Sequence, residues 1–71
     1  MRILPERVWL TLKGEPGNGG VSVGVDSAEA LTWTADDFAA LYRRHVVGST
    51  KAEARAWGEA QVRERDLALN A

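Results

Sequence analysis

The stretch from Thr34 to Val47 most constrains the fold, because it carries the local features of one amphipathic helix. Apolar and aromatic side chains recur there at i, i+3, i+4, i+7 and i+8, the spacing of one helical stripe; they are Phe38, Leu41, Tyr42, His45 and Val46. Thr34 is a typical N-cap, and Asp36 and Asp37 place negative charge beside the positive end of the helix dipole. Gly48 is a typical left-handed stop. These features predict a helix that begins after Thr34 and ends before Gly48.

A second helix is predicted from Lys51 to about Leu69. Thr50 and Glu53 have the spacing of a capping box, and the segment is rich in Ala, Arg, Glu and Gln, which are good helix formers. Its predicted apolar stripe is made mainly of small residues, namely Ala56, Trp57, Ala60, Leu67 and Ala68. Gly58 costs about 1 kcal/mol relative to alanine in a helix, which indicates a close approach or a local bend there. A helix with so narrow an apolar face has three alternatives: it projects from the domain, it packs closely through its alanines, or another chain completes its core.

Two segments of alternating polarity come before the first helix. From about Arg7 to Lys13, Val8, Leu10 and Leu12 alternate with polar residues and Trp9, and three valines alternate in the same way between Val21 and Asp26. The turn-forming run from Gly14 to Gly20 between them predicts a β-hairpin. Ala30 to Trp33 reads either as a short third strand or as an extended lead into the helix.

These elements predict an α+β fold. We expect a small single domain over residues 1–71, with a β-hairpin, or a hairpin and a short third strand, packed against two helices in the order ββαα. At this length, folding buries only roughly 60% of the surface that the unfolded chain exposes, so we expect modest stability.

The composition argues against several classes of function. The chain has no cysteine and one histidine, so a thiol nucleophile is excluded and a zinc site is improbable. No nucleophile, base and orienting group occur together, and adjacent Asp36 and Asp37 do not share a ligand easily. We therefore expect no enzyme, no cofactor and no metal. No apolar run is long enough to span a bilayer, and the opening residues are interrupted too early by Pro5 for a signal peptide, so we expect a cytoplasmic protein without a membrane partner.

Elimination and a surplus of tryptophan favour a small non-catalytic protein–protein interaction module. We expect a regulator, inhibitor or adaptor, of the kind that phages and mobile elements often encode, which binds a larger protein. The predicted contact residues are Trp9 and Trp57, as aromatic anchors, together with Arg43, Arg44 and Arg55. Homodimerisation through the second helix would account for the same surplus of tryptophan. The alternative is a nucleic-acid-binding regulator that uses Arg43, Arg44, Lys51 and Arg55, although the net charge of −1 and the acidic residues of the second helix make this less favourable.

Overall fold

The computed structural model describes residues 6–15 and 18–70. Its elements are β1 (Arg7–Glu15), β2 (Asn18–Asp26), a short helix α1 (Ser27–Ala30), α2 (Ala35–His45) and α3 (Lys51–Leu69). The predicted α+β class and the order ββαα are confirmed, with α1 as an additional turn of helix. Contacts divide the chain into two compact units, Met1–Thr32 and Trp33–Ala71, called here the hairpin unit and the helical unit. The single domain over residues 1–71 stays a prediction.

The hairpin unit contains a two-stranded antiparallel sheet in which β1 pairs with β2. Leu10, Leu12 and Val25 are buried, whereas Arg7 and Trp9 on the opposite parity are exposed, as the alternation predicts. The strands are longer than expected: pairing continues to Glu15 and resumes at Asn18, with shifts in register. The expected loop from Gly14 to Gly20 is therefore wrong at both ends, because backbone pairing does not depend on the side chains that made this run resemble a loop. Pro16 and Gly17 lie outside the described residues.

The third strand considered for Ala30 to Trp33 is wrong, because α1 takes part of this segment. Asp26 caps α1, since its Oδ1 accepts hydrogen bonds from the N–H groups of Ala28 at 2.9 Å and Glu29 at 3.3 Å. The N–H of Leu31 donates to Ser27, and that of Thr32 donates to Glu29. With these donors used inside the turn, residues 31 and 32 are not free to donate to a sheet.

The helix α2 begins where its sequence predicts and ends at His45, two residues before Val47, the last residue of the predicted stretch. Thr34 and Asp37 form a reciprocal capping box, in which Asp37 Oδ2 accepts from Thr34 N–H at 2.9 Å and Thr34 Oγ1 accepts from Asp37 N–H at 3.3 Å. Gly48 has a φ of +85°, the left-handed conformation expected after the helix. Of the predicted stripe, Phe38, Tyr42 and Val46 are buried, but His45 in the last turn is exposed.

The helix α3 runs from Lys51 to Leu69 as predicted, but it packs through a different face. Ala54 and Gly58 are its buried residues, whereas Ala56, Leu67 and Ala68 of the predicted stripe are exposed. A Cβ added to Gly58 would overlap the carbonyl oxygen of Ala35 and lie 3.2 Å from the backbone nitrogen of Ala39. Of the two explanations considered for Gly58, a close approach or a local bend, the close approach is therefore correct.

The two long helices run antiparallel. Glu53 near the start of α3 meets Tyr42 of α2, Gly58 meets Ala35, and Arg65 reaches back to the carbonyl of Trp33. Thus later residues of α3 contact earlier residues of α2, and the smallest side chains lie where the two backbones come closest.

Candidate interaction site

Trp9 is the most prominent exposed aromatic side chain of the hairpin unit. It lies opposite Gly24 in the register of β1 and β2, and 68% of it is exposed. A Cβ added to Gly24 would lie 3.1 Å from both Cζ3 and Cη2 of the ring, so the indole lies across the bare backbone of β2. The parity of β1 predicts this exposure, while the part played by Gly24 follows only once the register is known. The hairpin thus holds a large aromatic ring in one place and leaves most of it in contact with water.

The side chains around Trp9 on this surface are polar and partly basic. Arg7 and Thr11 share its parity and are exposed, and Lys13 beyond the register shift is also exposed. We call Arg7, Trp9 and Lys13 the Trp9 surface. It therefore combines one apolar ring with two cations.

Trp57 occupies a different environment, inside an aromatic cluster of the helical unit. Its ring centroid lies 5.2 Å from that of Tyr42 and 6.1 Å from that of Phe38, and Trp33 packs on Phe38 at 5.1 Å. Trp57 is half-buried. These edge-to-face and tilted contacts give the ring a structural part, and a role of Trp57 in partner binding stays a prediction.

Tyr42 and Glu53 form a hydrogen bond across the helical unit. The Tyr42 hydroxyl donates to Glu53 Oε2 at 2.6 Å, while the Thr50 hydroxyl accepts from the Glu53 N–H at 3.0 Å. The pKa of Tyr42 is raised above 10.0, first because its hydroxyl donates to the Glu53 carboxylate, then because it is buried, and then because of the negative charge on Glu53. A phenol held neutral in this way is not an activated nucleophile or base at neutral pH.

Three of the four predicted basic residues line one groove between α2 and α3. The groove is open to solvent, has a volume of about 220 Å³, and is lined by Asp36, Ala39, Ala40, Arg43, Lys51, Ala54 and Arg55. Arg55 Nη1 lies 3.3 Å from Asp36 Oδ1, and Arg55 Nε lies 3.4 Å from Glu59 Oε1. All three side chains are well exposed. Arg44 is exposed but does not line this groove. We refer to these seven lining residues as the α2–α3 groove.

Sequence reasoning did not predict the exposure of three aliphatic side chains or one half-buried contact of Arg65. Val47, Leu67 and Leu69 are 95%, 66% and 51% exposed, respectively. Arg65 is half-buried, and its Nη1 donates to the carbonyl of Trp33. Its Nε lies 3.2 Å from Asp66 Oδ1. No periodic pattern marks Arg65, because its partner is a backbone group distant in sequence.

Comparisons of this chain with protein-family models, with curated proteins and with solved structures found no match. Among residues 6–15 and 18–70, no three histidine, aspartate or glutamate side chains cluster as a metal site would require. In that same part of the chain, neither long helix has the length and apolar character needed to cross a bilayer.

Proposed function

We propose that this protein is a small non-catalytic interaction module, a regulator, inhibitor or adaptor of the cytoplasm, and that it binds a larger protein through the Trp9 surface. The exposure of Trp9 carries the proposal, since 68% of an indole faces water on a regular strand. Tryptophan is highly buried on average, so a tryptophan that is mostly exposed is informative. Tryptophan and arginine are also the residues most enriched among binding hot spots.

The geometry of the strand pair leaves most of the ring available for binding, beside a contact with Gly24 that also stabilises the hairpin. The Trp9 ring covers Gly24, which offers backbone but no side chain to pack against. Because the ring already rests on β2, the Trp9 side chain would lose little rotamer entropy when a partner covers it. The remaining exposed area is then available to contribute to the affinity.

The decisive experiment compares protein capture by the immobilised wild type and by two immobilised variants. Trp9→Thr removes the ring and keeps a β-branched residue with good strand propensity. Val47→Ala removes another exposed apolar side chain, one that is 95% exposed after α2, and serves as the matched control. We expect one protein to be retained by the wild type and by Val47→Ala and to be lost from Trp9→Thr, with the circular dichroism of all three alike. Equal retention by Trp9→Thr would contradict the proposal.

Self-association is a second proposal, supported by Leu67 and Leu69 near the end of α3, which are both more than half exposed. Light scattering over a concentration series tests it. We expect a dimer that becomes monomeric in Leu67→Lys, and a monomer at all concentrations of the wild type would exclude it.

The nucleic-acid alternative has less support in the helical unit. Arg55, one of its four residues, already lies beside two carboxylates, those of Asp36 and Glu59. A strand of phosphates would meet these negative charges together with the cations. Its test is the salt dependence of binding to an oligonucleotide, which would be steep if several phosphates were contacted.

A further inference from the structure

The α2–α3 groove has a surplus of positive charge, of which only Arg43, in the last turn of α2, is favoured by the end of a helix dipole. Three cations and one carboxylate line it, and Asp36 lies nearest to Arg55. Arg43 and Lys51 form no ion pair within residues 6–15 and 18–70. With Glu59 also beside Arg55, three cations face two carboxylates. Arg43 and Lys51 are thus the two cations without an ion pair in the described part of the chain, in a groove also lined by alanines.

The charge and the donor groups fit a phosphate monoester. Such a group carries a charge of about −1.5 to −2 at neutral pH, which matches these two cations better than a single carboxylate does. Arg55 already pairs with Asp36 and Glu59, so Arg43 and Lys51 are the cations of this groove left for a phosphate. Arginine and phosphate oxygens form the strongest class of charge-assisted hydrogen bonds.

The size of the groove indicates what carries the phosphate. Pockets for small ligands usually have about 300–1,000 Å³ and bury most of the ligand. This groove has about 220 Å³ and is open, so a free small molecule would remain largely in water. A phosphate on a side chain needs only a local cradle, because other contacts of the same macromolecule supply the rest of the affinity.

The surroundings of the groove favour one phosphate over a row of phosphates. Glu53 and Glu59, on the same half of α3, are both exposed. A nucleic-acid backbone that followed α3 would bring several phosphates close to these carboxylates, whereas a single phosphate need not approach them.

We propose that the α2–α3 groove binds one phosphorylated serine or threonine side chain of a protein partner. This inference rests on the proposed function only in that a protein carries the phosphate. It assigns Arg43 and Lys51 as the two charge partners of the phosphate.

The test is a titration of the full chain, followed by amide chemical shifts, with N-acetyl-O-phosphoserine N-methylamide as the probe. We expect saturable shifts confined to the lining segments 36–43 and 51–55. The unphosphorylated probe should cause none, and added salt should weaken the binding. Arg43→Gln and Lys51→Gln should each weaken it by up to about fivefold, the range of an exposed ion pair, and the double variant should abolish it.

The matched control is Arg63→Gln, which removes an exposed arginine from α3 outside the groove. It should leave the affinity for the probe unchanged, and circular dichroism should show that all variants keep their helices. Equal weakening by Arg63→Gln would reduce the effect to general electrostatics and overturn the proposal. Shifts of equal size with the unphosphorylated probe, or no saturable shift with the phosphorylated one, would overturn it as well.

Three further outcomes separate this inference from the nucleic-acid alternative and from the proposed function. Tighter binding of a single-stranded oligonucleotide, with a salt slope of several phosphates and the same dependence on Arg43 and Lys51, would replace the phosphoprotein with nucleic acid. Failure of the probe, with capture that still depends on Trp9, would overturn the groove assignment and leave the proposed function standing. Binding of the probe without any capture that depends on Trp9 would support the groove and contradict the proposed function.

Discussion

Replacing Gly58 with alanine tests whether the two long helices are held at the distance that the structure indicates. On helix propensity alone, Gly58→Ala in the middle of α3 should stabilise the protein by about 0.8–1.0 kcal/mol. The structure predicts the opposite sign. A Cβ at this position would overlap the carbonyl oxygen of Ala35 and lie 3.2 Å from the nitrogen of Ala39, and both atoms belong to backbone that cannot rotate away.

The magnitude follows from the balance of these two effects. Overpacking a well-packed contact typically costs about 1–3 kcal/mol, and overlap with backbone belongs at the upper end of that range. After subtraction of the propensity gain, we expect a net loss of about 2 kcal/mol. For a domain of this size, such a loss lowers the melting temperature by about 8–16 °C.

The assay is thermal and urea unfolding of the helical unit, followed by far-ultraviolet circular dichroism. Tryptophan fluorescence provides a second probe, since Trp57 and Trp33 belong to the aromatic cluster of this unit. The matched control is Ala56→Gly, because Ala56 is exposed two residues away on the same helix. It should cost about 1 kcal/mol, the ordinary propensity difference. If Gly58→Ala instead stabilises the protein by about that amount, the close approach of α2 and α3 is refuted.

The helix α2 could be predicted from sequence because its signals are local and agree with one another. Phe38 and Tyr42 are large, recur at helical spacing and follow a cap at Thr34, and each of these features occupies the expected place. His45 shows where this reasoning ends. Its spacing puts it near the stripe, but at the last position of the helix it is exposed.

The most buried positions of α3 could not be predicted, because they are small residues in an alanine-rich segment. The predicted stripe was placed on large side chains such as Trp57 and Leu67, whereas the buried residues are Ala54 and Gly58. Ala52, Ala56 and Ala60 repeat the same spacing of four residues, so the sequence offers several equivalent faces. Only the partner helix selects among them.

The Trp9 surface follows from local information in the sequence, whereas the α2–α3 groove depends on tertiary structure. The exposure of Trp9 follows from strand parity, a rule of period two that needs no knowledge of the rest of the fold. The α2–α3 groove depends on the pairing of Arg55 with Asp36, which are 19 positions apart in sequence. The sequence could therefore indicate a basic cluster, but not that one carboxylate would enter it and leave two of its described cations without an ion pair.

Two further predictions concern the polar contacts that fix α2. Thr34→Ala removes one half of the capping box with Asp37 and should cost about 1 kcal/mol in urea unfolding, and an unchanged midpoint would contradict the role of the cap. Tyr42→Phe leaves the Glu53 carboxylate without its 2.6 Å hydrogen bond and should cost about 1–2 kcal/mol. It should also change the dependence of stability on pH. Because the pKa of Tyr42 is raised above 10.0, the folded protein holds this proton more tightly than the unfolded chain does. The stability from this group is therefore complete below about pH 10 and is lost as the pH rises through the raised pKa. Tyr42 is the only tyrosine, so Tyr42→Phe should flatten this alkaline decline in the free energy of unfolding. An equal decline in the variant would show that another group causes it.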